Sequence, residues 1–228
     1  MNCIKSAICS IIVLASNILF LNTVVAQDIK GNVIAGKSKN SLCIGCHGIE
    51  GYRTSFPALY TVPMIAGQNS KYIENALKAY KSGERTHPTM RSIATSLTEQ
   101  DMVDLAAYYA AFKPATFKNV SSKPDLEIAI TALKNNNCAS CHGADYAKSI
   151  DGSIPSLAGQ HADYLVQALK QYRAGDNKKA ILSRNHPLMT GTAKKLSLAD
   201  INHIALHLSK LPNGHLSIPE AKKGITPE

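Results

Sequence analysis

CIGCHG at residues 43–48 is the stretch that decides the fold, because CASCHG repeats it at residues 138–143, an offset of 95. A second pair of segments follows each motif. PMIAGQ at 63–68 returns as PSLAGQ at 155–160, an offset of 92. The two cysteine motifs therefore head two similar stretches of chain.

The similarity extends to the end of each stretch. KYIENALKAYKSG at 71–83 matches DYLVQALKQYRAG at 163–175, and RTHPTM at 85–90 matches RNHPLM at 184–189. The landmarks keep their order while their spacing changes by a few residues. This is typical of an internal duplication in which each half is one folding unit and insertions fall in loops.

The C-x-x-C-H spacing has a specific chemistry. Two cysteines three residues apart place both thiols on one side of a helical turn, where they can form thioethers with the two vinyl groups of one haem. The pattern is the attachment signature of c-type haem, and the adjacent imidazole is a known axial ligand of the iron. Two motifs predict two covalently bound haem c groups. The residues concerned are Cys43, Cys46, Cys138 and Cys141 for attachment, with His47 and His142 on the iron.

Three other uses of the four motif cysteines fit less well. A shared zinc site would have to join two C-x-x-C pairs that lie far apart and head separate repeats. A thioredoxin-like redox pair needs a preceding strand, and none is predicted. Simple disulfides leave the duplicated histidine without a role.

The sixth iron ligand follows from the repeat. Met189 is the only methionine of the second half, and its counterpart in the first half is Met90. Met64 and Met102 have no methionine counterpart, which favours a packing role for them. We therefore predict Met90 and Met189 as axial ligands. Bis-histidine ligation stays open as an alternative, because a histidine precedes each of these methionines by three residues: His87 and His186.

Two further repeated pairs surround these candidates. A ligating imidazole usually donates its second N–H to an acceptor, and the backbone carbonyls of Pro63 and Pro155 are placed to accept. Arg85 and Arg184 also recur, and could pair with haem propionates or with the neighbouring half.

Apolar periodicity predicts an all-α protein. Tyr72, Ile73 and Leu77 share one helical face, and their counterparts in the second half repeat it. A second helix in each half is expected to begin after Thr98 or Ser197 as N-cap. The predicted organisation is a signal peptide at 1–26, cytochrome c-like domains at 27–113 and 125–216, a linker at 114–124 and a mobile tail at 217–228.

The start of the chain indicates export. Lys5 precedes an apolar run from 11 to 21, and small residues end it before Gln27, as in a secretory signal peptide. The run is shorter than the roughly 20 residues of a membrane span. Removal of 1–26 leaves a basic chain, for which export disfavours nucleic acid and favours acidic protein partners or an anionic membrane.

The chain resembles the dihaem cytochrome c4 family of bacterial electron carriers in its tandem CxxCHG, tandem AGQ and late methionines. The resemblance implies two small bacterial cytochrome c domains whose haems face each other. It also implies periplasmic electron delivery in a respiratory chain towards a membrane-bound terminal oxidase, with loose membrane association. The ligand sets it implies are Cys43, Cys46, His47 and Met90 for one haem, and Cys138, Cys141, His142 and Met189 for the other.

Two alternative functions remain at this point. One is a dihaem oxidoreductase, of the peroxidase or sulfur-compound-oxidising kind, in which one iron keeps an open position. The other is a haem subunit of a respiratory complex, docked through the basic tail and the loop at 177–185. Because both halves offer the same ligand set, an electron carrier without a catalytic residue is the favoured interpretation.

Overall fold

A computed structural model describes residues 29–112, 125–177, 179–211, 214 and 216–219, without the side chains of 125 and 126. The predicted signal peptide, linker and final residues fall outside these ranges. The named secondary-structure elements of the described residues are helices apart from one pair of two-residue strands, which confirms the all-α prediction.

Each half is built from the same series of helices. The first half contains α1 (Val33–Lys39), α2 (Ser41–His47), β1 (Arg53–Thr54), β2 (Tyr60–Thr61), α3 (Ser70–Ser82), α4 (Pro88–Ser96) and α5 (Glu99–Ala110). The second half contains α6 (Asp125–Asn135), α7 (Ala139–His142), α8 (Ala162–Ala174), α9 (Pro187–Lys195) and α10 (Leu198–Ser209). The antiparallel pair β1–β2 and the helices α4 and α9 were not predicted.

Local sequence explains where the helices begin and end. Thr98 caps α5 in a capping box with Asp101, and Ser197 caps α10 in a capping box with Asp200. Both N-caps were predicted. These boxes satisfy backbone N–H groups that have no partner within the helix. Gly83 ends α3 with φ 89°, a left-handed conformation that favours glycine.

The last helix of each half forms the centre of its core. Met102, Leu105 and Tyr109 of α5 are almost fully buried. In α10 the equivalent face is buried as well, with Ile201 and Leu208 among its members. The first helix of each half packs across this central helix. At the α1 crossing, a Cβ on Gly36 would lie 2.1 Å from the Asp104 carbonyl oxygen, so only glycine permits this approach.

The two halves contact each other through equivalent residues. The Gln68 amide donates to the Ser156 carbonyl oxygen (3.0 Å) and accepts from the Ser156 N–H (2.9 Å). In the reverse direction, Gln160 donates to the Met64 carbonyl oxygen (2.9 Å) and accepts from the Met64 N–H (3.1 Å). Since both partners correspond in the repeat, the halves meet with approximate twofold symmetry.

Backbone bonds near the two Arg-x-His-Pro segments extend this contact. The Thr86 N–H donates to the Ser183 carbonyl oxygen (2.8 Å), and the Asn185 N–H donates to the Glu84 carbonyl oxygen (2.9 Å). The C-terminal end of the 177–185 loop is therefore hydrogen-bonded to the first half. The predicted tail begins with a contact too, because the Ser217 N–H donates to the Ala66 carbonyl oxygen (2.8 Å).

Candidate functional site

One cavity of about 640 Å³ runs between the two halves, and its wall is mostly apolar. Every residue predicted to hold a haem lines this cavity: Cys43, Cys46, His47, Met90, Cys138, Cys141, His142 and Met189. The structure thus brings both sets of predicted ligands together.

The two motif histidines are held by the carbonyls that the sequence predicted. His47 Nδ1 lies 2.8 Å from the Pro63 carbonyl oxygen, and His142 Nδ1 lies 3.0 Å from that of Pro155. Donation to a carbonyl assigns the proton to Nδ1 and leaves Nε2 with a free lone pair. This is the second-shell arrangement typical of histidines that bind metals.

Burial favours the neutral form of both imidazoles. It lowers the pKa of His47, against the opposing effect of the Pro63 carbonyl and with a further lowering by Arg85. It also lowers the pKa of His142, where the Pro155 carbonyl again opposes the shift. A neutral imidazole is the form that binds a metal.

The four motif cysteines line the cavity wall. None of these four cysteines forms a disulfide in the structure. Burial raises the pKa of Cys43 to about 11 and also raises that of Cys138.

Each candidate methionine occupies the first turn of a helix that the sequence did not predict. Pro88 and Pro187 begin α4 and α9, where proline is well tolerated. The preceding histidine is the N-cap, and its Nδ1 accepts from the methionine N–H at 3.4 Å in both halves. His-Pro-x-Met is thus a helix start that positions the methionine.

The same geometry bears on the bis-histidine alternative. His87 lines the cavity, but His186 is exposed and is not among the lining residues. Met90 and Met189 therefore line the cavity in both halves, whereas only the first half places its N-cap histidine there.

Two tyrosine-bearing helices form the side walls. The face predicted on α3 lines the cavity with Tyr72, Ile73, Ala76, Leu77 and Tyr80. The face predicted on α8 lines it with Tyr164, Leu165, Ala168, Leu169 and Tyr172. Flat apolar walls, paired thiols and a neutral imidazole in each half fit a haem group.

The AGQ segments have a role that the sequence alone did not reveal. Ala66 and Ala158 are fully buried. The glycines that follow have φ near 80° and donate to the last helix of their own half. The glutamines then cross to the other half, so one short segment fixes both the core and the interface. Their recurrence as an identical triplet in both halves was the available signal.

The described residues contain no helix with the length and apolarity needed to cross a membrane. Nor do they contain a group of three His, Cys, Asp or Glu side chains that could hold a metal ion by themselves.

Comparison with known proteins gives one consistent family. The cytochrome c family model matches residues 33–111 and 129–212. Cytochrome c4 of Pseudomonas aeruginosa is 30% identical over 206 residues, covering 87% of this chain and 98% of that protein. Cytochrome c4 of Thiocapsa roseopersicina is 33% identical over 193 residues, covering 79% of this chain and 93% of that protein.

A solved structure and a differently named relative complete the comparison. The structure of Acidithiobacillus ferrooxidans cytochrome c4 matches with a TM-score of 0.61 at 31% identity, covering 75% of this chain and 99% of that one. A thiosulfate dehydrogenase electron acceptor of Stutzerimonas stutzeri is 27% identical over 179 residues, covering 74% of this chain and 78% of that protein.

Proposed function

The chain belongs to the cytochrome c4 family, and from that membership we propose that it carries electrons in the periplasm between redox protein partners. It contains two tandem cytochrome c domains and carries two covalently bound haem c groups. When bound, haem iron supplies a one-electron couple, and histidine–methionine ligation raises its potential.

One observation carries the proposal. Both halves direct the same residue types, a motif histidine and a helix-borne methionine, to the wall of one shared cavity. A dihaem electron carrier has both axial positions filled at each iron, whereas a dihaem oxidoreductase needs an open position at one iron. We propose His47 with Met90, and His142 with Met189, as the axial ligand pairs.

The chain's own residues prepare each site. The carbonyls of Pro63 and Pro155 orient the imidazoles, and burial keeps them neutral. The N-capped starts of α4 and α9 hold the methionines on stable helices. Apolar faces of α3 and α8 line the cavity and disfavour water there. The protein thus supplies binding, orientation and a dry environment, as expected of a cofactor carrier.

We propose a membrane-bound terminal oxidase as the electron acceptor, with loose association at the membrane surface. The formal charge is +9 for the whole chain and +8 without Lys5 of the predicted signal peptide. This charge supports encounter with acidic partners or anionic lipid, because steering by a basic surface speeds association at low salt. The salt dependence of the rate of oxidation by a purified oxidase would test this partner.

A second candidate rests on the relatives. Because one similar protein is named a thiosulfate dehydrogenase electron acceptor, this chain could receive electrons from an enzyme that oxidises sulfur compounds. Mixing the oxidised protein with such a dehydrogenase and thiosulfate would reduce it at a catalytic rate under this proposal. An equal rate with an unrelated dihaem cytochrome would contradict a dedicated pairing.

The first experiment is an absorption spectrum of the reduced holoprotein with and without carbon monoxide. An electron carrier with two filled iron sites gives a c-type spectrum that the gas does not change. A clear shift in the wild type would show an accessible iron and place the oxidoreductase function first.

Methionine variants test the ligand assignment in the same assay. We expect Met189→Ala to bind carbon monoxide at one haem and to lower the potential of that haem. Met102→Ile is the matched control, since Met102 lies in the core of the first half and Ile201 fills the equivalent position in the second. An unchanged redox titration in Met189→Ala would contradict the assignment.

A further inference from the structure

Two arginines are buried where the halves meet. Arg85 is 8% exposed and Arg184 is 4% exposed, and their backbones pair as an isolated antiparallel bridge. Each half contributes one of them, from equivalent positions of the repeat. Two like charges are thus held together in a dry part of the molecule.

Their neighbours are neutral. Arg85 donates to the Tyr164 hydroxyl (2.9 Å) and to the Tyr72 hydroxyl (3.4 Å). Arg184 donates to the same Tyr164 hydroxyl (3.2 Å) and to the Gln171 amide oxygen (2.7 Å). Neither guanidinium forms an ion pair with any carboxylate of the described chain.

Aromatic rings cover much of the remaining guanidinium surface. Arg85 Cζ lies 4.5 Å from the centroid of the Tyr80 ring, and Arg184 Cζ lies 5.3 Å from that of Tyr172. Even so, Arg85 Nε is left as the one buried side-chain nitrogen or oxygen of the described residues without a hydrogen-bond partner.

The two buried guanidinium groups lack a counter-charge among the described residues. A buried charge is strongly unfavourable unless a counter-charge and hydrogen bonds offset its loss of water. The field of the pair is large enough to act on its neighbour: burial opposes ionisation of Tyr164, yet Arg184 and Arg85 together lower the pKa of its hydroxyl. An anion is therefore needed beside the pair.

The cavity limits where that anion comes from. Arg85 and Arg184 both line the wall that also carries the haem-attachment residues. Arg53, the other arginine on this wall, is half exposed and already pairs with Asp163 at 3.7 Å. The haems that occupy this cavity bring carboxylates of their own, as propionates.

We propose that Arg85 and Arg184 form one carboxylate-binding site, shared between the halves, for the propionate groups of the two haems. Tyr164 completes the site: its oxygen accepts from both arginines, which leaves its O–H to donate to a carboxylate. Because the site contains a residue set from each half, it exists only when the halves are docked. Haem binding and interdomain docking therefore stabilise each other.

Resonance Raman spectroscopy of the holoprotein tests the site directly through the bending bands of the propionates. We expect Arg85→Gln and Arg184→Gln to shift these bands, and to lower both midpoint potentials because a positive charge that favours the reduced state is lost. Arg85→Lys keeps the positive charge but changes the hydrogen bonds. Its midpoint potentials should therefore return towards the wild-type values more fully than its propionate bands do. Arg91→Gln, at an exposed position of α4, is the matched control for the change in charge.

Bands and potentials in Arg85→Gln that match those of Arg91→Gln would overturn the proposal. If the arginine variants do not accumulate, Tyr164→Phe removes the shared hydroxyl without changing the charge, and unshifted bands in that variant would be equally decisive. Replacing chloride by phosphate at constant ionic strength should leave the wild-type potentials unchanged. A phosphate-dependent potential would identify a diffusible anion in place of the propionates.

The inference rests on the proposed function only through the two haems. If the wild type binds carbon monoxide, the carrier proposal fails, while the arginine variants can still shift the propionate bands. If the wild type does not bind carbon monoxide, the carrier proposal stands, while the arginine variants can still leave the bands unshifted. The two failures are therefore distinguishable.

Discussion

Truncation of Gln68 is expected to destabilise the contact between the halves. Its side chain is 4% exposed and makes two hydrogen bonds to the backbone of Ser156, which is 3% exposed. Gln68→Ala leaves the N–H and C=O of Ser156 buried without these partners. At about 1–3 kcal/mol for each of these two unsatisfied groups, the expected loss in the free energy of unfolding is roughly 2–6 kcal/mol.

Denaturation of the oxidised holoprotein by guanidinium chloride measures this loss. Haem absorption and far-UV circular dichroism should be followed together, since separate transitions for the two halves would make their curves diverge. Gln160→Ala should behave like Gln68→Ala, because it breaks the symmetry-related bonds to Met64.

The matched control is Gln167→Ala on α8. Its half-buried side chain makes no hydrogen bond to a described residue, so a change within about 0.5 kcal/mol is expected. A loss in Gln68→Ala no greater than that of the control would refute the reasoning, because the paired amide would then contribute nothing to docking.

Three further changes test the fold by the same denaturation assay. Gly36→Ala should cost about 1–3 kcal/mol or more by overpacking against the Asp104 carbonyl, whereas Gly45→Ala, whose Cβ meets nothing within 4 Å, should not destabilise; equal losses would contradict the close approach of α1 and α5. Thr98→Ala should cost about 1 kcal/mol through loss of the N-cap, and no loss would show that the capping box is dispensable. Although burial opposes ionisation, the bond from Lys39 helps keep the pKa of Asp104 below its ordinary value, so its contribution is present above about pH 4 and lost as pH falls further. Asp104→Asn should therefore be less stable than the wild type at pH 7 and lose less stability between about pH 5 and 2; parallel pH curves would contradict this.

Much of the fold was accessible from the sequence because it depends on local patterns. The apolar faces of α3 and α5, the caps at Thr98 and Ser197, and the Gly83 helix end all follow from residues within one or two turns of each other. The carbonyl partners of His47 and His142 were also accessible, since a repeated proline stood at a fixed distance after each motif.

The helices α4 and α9 were missed for a local reason as well. Apolar periodicity does not indicate them, whereas proline favours the first position of a helix and a histidine Nδ1 can cap it. The sequence carried this information in the four residues from His to Met.

The sequence by itself determined the duplication, the helical class, the two haem-attachment motifs and one candidate methionine in each half. Only the tertiary structure decided that both sets line one cavity, that Gln68 and Gln160 exchange bonds across the interface, and that Arg85 and Arg184 are buried side by side. The physical reason is distance along the chain. Helix propensity and motif spacing act over a few residues, whereas the desolvation of two arginines depends on contacts between residues about 100 positions apart.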